Sequence, residues 1–187
     1  RLVGSEMCIR DSDIPVSDLK SKYANQHSKF IEIDGMNVHY RDQGKGETII
    51  LLHGTGASLH TWDKWTDNLK NSYRVIRLDL PAYGLTGPHP ENKYSISEYS
   101  EFLNSFVNEL KLNNFILSGN SLGGSISWYY ASIYPEKVQL LNLLSPGGFL
   151  KKDNRSPLVI KLARAPVINK ILLSLIHISE PTRRRGI

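Results

Sequence analysis

Gly119-Asn120-Ser121-Leu122-Gly123 is a G-x-S-x-G pentapeptide set between an apolar run and an amphipathic stretch. Upstream, Asn114-Phe115-Ile116-Leu117-Ser118 reads as a short buried strand. Downstream, Leu122, Ile126, Tyr129, Tyr130 and Ile133 recur with the period of one helix face. A strand that turns sharply into a helix at a serine lifts the hydroxyl above the sheet edge, where a substrate carbonyl can reach it. Such a turn drives the serine backbone into the sparsely allowed region at positive φ, which requires small neighbours. Gly119 and Gly123 are the elbow glycines that leave this room, and Gly124 lets the next helix lie close to the sheet.

Working outward, the chain alternates strand and helix signals. Asp34-Gly35 between two alternating runs, Phe30–Ile33 and Met36–Tyr40, is a hairpin signal. Thr48–Leu52 is a continuous apolar strand of the kind found in sheets covered on both faces. His53-Gly54-Thr55-Gly56-Ala57 ends it, and Trp62, Trp65 and Leu69 space a helix. Tyr73–Asp79 is the next strand, followed by a loop from Leu80 to Pro88. Ser95 with Glu98 reads as a capping box opening a helix whose apolar face is Tyr99, Leu103, Phe106, Val107 and Leu110. After the elbow helix, which Pro135 stops, Val138–Leu144 is one more strand before Ser145-Pro146-Gly147-Gly148. The alternation predicts an α/β fold: a mainly parallel, doubly covered sheet with an N-terminal antiparallel hairpin.

Composition narrows the function classes. The 187 residues suit one domain, and 40% hydrophobic with 22% charged residues is ordinary for a globular chain. The net charge is +5, of which Arg183, Arg184 and Arg185 against Glu180 supply +2. The milder remainder and the lack of an interleaved basic and aromatic patch argue against nucleic-acid binding. One cysteine, Cys8, makes no internal disulfide, and no Cys/His spacing suggests a metal. No apolar run reaches the roughly 18 residues of a membrane span, and no leader with an apolar centre opens the chain. No cofactor is expected. A membrane anchor would belong to sequence upstream of Asp13, which leaves cytoplasmic and membrane-associated locations both open.

Both ends read as foreign to the fold. Arg1 to Ser12 lacks periodicity and an initiator methionine, and it resembles translated sequencing-adapter sequence, as does Ser174 to the C-terminus. Residues 1–12 and 174–187 are therefore set aside as non-native segments. Residues 13–150 form the N-terminal part of the core and 151–173 the start of a cap or lid, apolar but broken by Lys161, Arg164, Pro166 and Lys170.

Four motifs in order resemble those of the α/β-hydrolases: His53 to Gly56, Asp79-Leu80-Pro81-Ala82-Tyr83-Gly84, Gly119 to Gly124, and Tyr134-Pro135-Glu136-Lys137-Val138. The resemblance spans roughly residues 28–150. It implies that Ser121 is the nucleophile and that the backbone N–H groups of Leu122 and Thr55 hold an oxyanion. It implies structural roles for His53 and for Asp79, which would hold the following loop through hydrogen bonds. Where the family commonly has glycine before the aromatic Tyr83, this chain has Ala82. The three tryptophans, Trp62, Trp65 and Trp128, read as core or cap-contact residues.

A serine nucleophile needs a base to take its proton and an acid to orient that base. In this fold the chain order is Ser, then Asp or Glu, then His. After Ser121 the sole histidine is His177 and the sole aspartate Asp153, neither in a strand context. The expectation is a partial α/β-hydrolase fold with its last strands missing and an unpaired apolar sheet edge, inactive as it stands. The intact form would hydrolyse small carboxylic esters through an acyl-enzyme. A carbon–carbon bond hydrolase of ring-cleavage products is an alternative, since Gly-Asn-Ser-x-Gly-Gly and Pro-Gly-Gly resemble that branch. A non-catalytic ligand-binding relative is another. Dehalogenases and epoxide hydrolases of this fold are disfavoured because they carry Asp at the nucleophile position.

Overall fold

The computed structural model describes residues 16–147, all within one compact unit, Ile14–Phe149. The terminal segments 1–12 and 174–187, the cap at 151–173, Asp153 and His177 lie outside the described residues.

An eight-residue helix, α1 (Val16–Tyr23), precedes a hairpin of β1 (Ser28–Ile33) and β2 (Met36–Gln43). The hairpin turns on Asp34 and Gly35, with φ of 51° and 75°. Two consecutive positive φ values match the right-handed twist of the flanking strands, which is why Asp-Gly is favoured there. β3 (Glu47–Leu52) leads through a 3-10 turn at Leu59–Trp62 and α2 (Asp63–Leu69) to β4 (Tyr73–Leu78). α3 (Ile96–Glu109) precedes β5 (Phe115–Asn120), and α4 (Leu122–Ile133) precedes β6 (Val138–Leu144). The predicted capping box is present in both directions: the Glu98 N–H donates to Ser95 Oγ, and the Ser95 N–H donates to Glu98 Oε2 at 2.7 Å. α1, which the sequence reading did not anticipate, has a short and weakly apolar sequence, VSDLKSKY.

The sheet order is β1-β2-β4-β3-β5-β6. β4, β3, β5 and β6 run parallel, and β2 lies antiparallel between β1 and β4. From β3 the chain moves outward to β4 and then returns to β5 on the other side of β3. The strand order therefore reverses between β3 and β5, and in open α/β sheets a ligand crevice forms beyond the carboxyl ends at such a reversal.

The main core lies under α3 and α4, where Phe102, Leu103, Phe106, Ile126 and Tyr130 meet Val38, Ile50, Ile76, Leu78 and Leu117. The other face carries a smaller cluster of Ile49, Leu51, Trp62 and Val75 under the 3-10 turn and α2. Among the described residues cover is thus uneven, and no residue of β6 is fully buried.

Two periodicity expectations shift. Ile133 is 47% exposed, and the buried side of α4 is Gly123, Gly124, Ser125, Ile126, Ser127 and Tyr130. The small residues face inward because α4 approaches the sheet too closely for large side chains. Trp65 is 46% exposed, its ring edge-on to the buried Trp62.

Phe106 is fully buried and meets Tyr40 edge-on at 5.4 Å. Phe106→Ala should therefore cost about 3–5 kcal/mol, read as a lowered urea midpoint at unchanged slope.

Candidate active site

Ser121 stands at the junction of β5 and α4 with φ 51° and ψ −111°, its side chain exposed. Positive φ in a residue with a Cβ is uncommon and costly, so the surroundings must enforce it. The Ser121 N–H donates to the Leu144 carbonyl at 2.9 Å, and its own carbonyl accepts from Ser125 N–H at 2.9 Å and Ser125 Oγ at 3.2 Å. The Gly147 N–H also reaches that carbonyl, at 3.4 Å.

The two elbow glycines are sterically required. A Cβ on Gly119 would strike the Gly123 carbonyl, and one on Gly123 would sit 2.6 Å from the His53 carbonyl oxygen. The Gly123 N–H donates to that same His53 oxygen at 3.1 Å. The first turn of α4 is thereby pressed onto the end of β3. Gly54 completes the approach, since a Cβ there would lie 3.2 Å from Ser121 Cβ. Gly124 lies close to the sheet as expected: a Cβ there would come within 3.0 Å of the Gly119 carbonyl oxygen in β5, and within 2.9 Å of Pro146.

Leu122 is the first residue of α4, so its N–H has no carbonyl a turn back to bond. Thr55 lies exposed in the turn that begins at Gly54. Among the described residues neither amide donates a hydrogen bond to another group.

His53 is fully buried, with both ring nitrogens engaged. Nδ1–H donates to the Gly54 carbonyl at 2.8 Å, and Nε2 accepts from the Leu80 N–H at 3.0 Å. That pair of bonds defines the neutral tautomer with the proton on Nδ1. Burial pushes its pKa below the ordinary value, against the opposing pull of the Gly54 carbonyl and Asp79. A histidine so engaged has no lone pair to offer a serine.

Asp79 is also buried, and its carboxylate is fully occupied. Oδ1 accepts from Leu59 N–H at 2.8 Å, while Oδ2 accepts from Leu85 N–H at 2.9 Å and bonds His39 Nδ1 at 2.8 Å. Burial alone would raise its pKa; the bonds from His39, Leu59 and Leu85 outweigh this and hold the carboxyl below its usual range. Asp79 thus ties three segments together: β2 through His39, the loop after β3 through Leu59, and the loop after β4 through Leu85. The sequence reading assigned Asp79 to loop-holding but missed His39. Its signal was positional: it is a polar residue on the face of β2 opposite Val38 and Tyr40. Tyr83 sets its ring edge-on to His53 at 5.3 Å.

Ser121, Leu122 and Gly123 follow the carboxyl end of β5, Gly119 is the next-to-last residue of that strand, and Thr55 follows Gly54, whose backbone lies against Ser121 beyond the end of β3. No described histidine or carboxylate hydrogen-bonds the Ser121 hydroxyl. Among the described residues no cluster of three His, Cys, Asp or Glu side chains could hold a metal, and no helix is long and apolar enough to cross a membrane.

Residues 47–168 match the model of the family described as the alpha/beta hydrolase fold. The chain belongs to the α/β-hydrolase family. It is 32% identical over 129 residues to an Escherichia coli 2-hydroxy-6-oxononadienedioate/2-hydroxy-6-oxononatrienedioate hydrolase, covering 64% of this chain and 45% of that one. Among solved structures it resembles a membrane phospholipase A described as a bacterial virulence factor, with TM-score 0.68 and 25% identity over 86% of this chain and 56% of that one. An epoxide hydrolase from Bacillus megaterium has TM-score 0.59 and 30% identity over 63% of this α/β-hydrolase chain and 42% of its own. The chain spans less than half the length of the curated relatives it matches.

Ala82 sits at φ 71°, its N–H bonded to the Gly87 carbonyl at 2.6 Å. Relief of left-handed strain exceeds the added chain entropy of glycine, so Ala82→Gly should raise stability by about 0.5–1 kcal/mol in denaturant titration. For His53, the unfolded chain titrates near pH 6.5 and the folded ring lower, so the unfolded state binds more protons in between. Its contribution is full above about pH 6.5 and falls as the pH drops toward the folded value. Urea midpoints should decline from pH 7.5 to 5, and His53→Gln should flatten that slope.

Proposed function

We propose that this chain is the nucleophile-bearing part of a serine hydrolase whose whole form cleaves small carboxylic esters through an acyl-enzyme. The observation that carries the reading is the backbone of Ser121, held at φ 51° with its side chain exposed beside two unbonded amides. In this reading Ser121 Oγ attacks the ester carbonyl. The Leu122 and Thr55 N–H groups receive the oxyanion, aided by the positive end of α4. A histidine and an acid from outside the described residues would carry the proton from Oγ to the leaving alkoxide, and water would then release the acyl group.

The fold alone does not choose among hydrolases, since epoxide-opening and carbon–carbon-cleaving enzymes share it. The residue at the elbow supports the choice against epoxide opening, because Ser121 stands where those relatives carry Asp. Carbon–carbon hydrolysis remains a second reading, favoured by Gly119-Asn120-Ser121-Leu122-Gly123-Gly124 and by the likeness to the Escherichia coli hydrolase. Side-by-side turnover of short-chain esters and of a vinylogous diketone discriminates the two.

The 187-residue chain is expected to show no ester turnover above its own Ser121→Ala variant. In a serine protease, losing the base costs about 10⁶ in turnover. Ester hydrolysis by this chain that Ser121→Ala abolishes would overturn the claim of inactivity. For the longer protein, obtained by extending the coding sequence, Ser121→Ala should remove turnover by a similar factor. Full activity in that variant would overturn the nucleophile assignment.

A further inference from the structure

Ser121 is the N-cap of α4, and an N-cap carbonyl ordinarily accepts one bond, the first of the helix. The Ser121 carbonyl accepts three. Two come from α4: the Ser125 N–H at 2.9 Å and the Ser125 hydroxyl at 3.2 Å. The third is the Gly147 N–H, at 3.4 Å, which arrives from beyond β6. A carbonyl oxygen offers two lone pairs, so this one is saturated, and by two separate segments.

Bringing the third donor there costs strain. Ser145, just after β6, has φ 45°, a sparsely allowed value for a residue with a Cβ. Beyond that bend Pro146 lies against Gly124, where an added Cβ would meet it at 2.9 Å. Gly147 is then held at both its polar groups: its N–H donates to Ser121, and its carbonyl accepts from the Trp128 indole Nε1–H at 3.3 Å. Ser125 is buried against the same glycine, since a Cβ on Gly147 would stand 2.9 Å from Ser125 Oγ.

A helix serine that bonds the carbonyl four residues back is ordinary, and Ser127 does the same to Gly123 at 2.7 Å. What sets Ser125 apart is the peptide it grips. The Ser121 carbonyl and the Leu122 N–H belong to one planar trans unit, so they point in opposite directions. Holding the carbonyl toward Ser125 and Gly147 therefore aims the Leu122 N–H out of the N-terminal end of α4, where no described group accepts it. Bonds to the carbonyl also polarise the N–H of the same peptide, strengthening what it donates by roughly 10–30% per bond.

We propose that Ser125 and Trp128 are positioning residues for the oxyanion donor. The Ser125 hydroxyl holds the Ser121–Leu122 peptide directly, and Trp128 holds it through Gly147, so the Leu122 N–H is fixed and polarised before a substrate arrives. The inference rests on the hydrolase reading, in which that N–H receives the oxyanion.

The test uses the longer protein, with kcat, KM and urea midpoint measured on short-chain esters and on a vinylogous diketone. Ser125→Ala should lower kcat about tenfold at unchanged KM, a fraction of the roughly 10²–10³ that loss of a whole oxyanion donor costs. Trp128→Phe, which keeps an aromatic ring but no donor, should give a smaller loss of the same kind. Ser127→Ala removes a shorter bond of the same type from the same helix, so it should lower the urea midpoint yet leave kcat within about twofold. A merely structural role for Ser125 would move the two serine variants alike. Equal kcat losses in those two variants, a loss carried in KM, or a Ser125→Ala kcat within about twofold of the parent would overturn the inference alone, provided Ser121→Ala is inactive. Turnover that survives Ser121→Ala, or no turnover of either substrate, would overturn the hydrolase reading and this inference with it.

Discussion

The contact on which the rest of the site depends is the pressing of α4's first turn onto the carboxyl end of β3. Gly123 lies against the Leu52 and His53 carbonyls with no room for a side chain, and its N–H bonds the His53 oxygen. With the helix fixed there, Ser121 has no choice of backbone. It must reverse the chain in a single residue, and the left-handed conformation is the consequence. The cost is of order 1–2 kcal/mol, and it is offset by bonds at both ends of the residue, to Leu144 and from Ser125. The same closeness explains why α4 turns glycine and serine inward and leaves Ile133 in solvent.

A second constraint is electrostatic. Asp79 buries a negative charge, which is tolerable only because every donor around it is preplaced. Its partners are two backbone amides and His39, whose Nε2 in turn bonds Ser28 Oγ at 2.9 Å. One carboxylate therefore joins the first two strands to the loops that follow β3 and β4. His53 works differently, as a neutral ring bridging the Gly54 carbonyl and the Leu80 amide. Charge is used where three segments must be drawn together, and a neutral donor–acceptor pair where two must be spaced.

What the sequence showed was local chemistry with few alternatives. Asp34-Gly35 demanded a primed turn, Ser95 and Glu98 demanded a helix start, and G-N-S-L-G between a strand and a helix demanded an elbow. Each depends on residues within a few positions of each other. The features that stayed hidden depend on partners far along the chain. His39 is explained only by Asp79, 40 residues later, and Trp65 is exposed because nothing among the described residues lies over it. Periodicity named the apolar positions of α4 correctly but could not tell which would face the sheet, because the deciding quantity was interaxial distance, set by Gly119, Gly123 and Gly124.

The constraints on Ser121 all arise within residues 52–147: the Leu52 and His53 carbonyls that hold Gly123, the Leu144 carbonyl, Gly54, and the Ser125 and Gly147 amides. None of them involves a base. If Ser121 is the nucleophile, as proposed, its placement and the proton transfer are separable problems in this architecture. On the proposed function, the strain at the elbow and the free amides of Leu122 and Thr55 would exist before any histidine approaches and would act as preorganisation, which costs nothing at the moment of reaction. A base arriving from later in a longer chain would need only to reach the Ser121 hydroxyl, which already stands exposed beyond the sheet edge. The strained, exposed serine is thus a property of the described part of the fold, and on the proposed function its reactivity would come from whatever completes it.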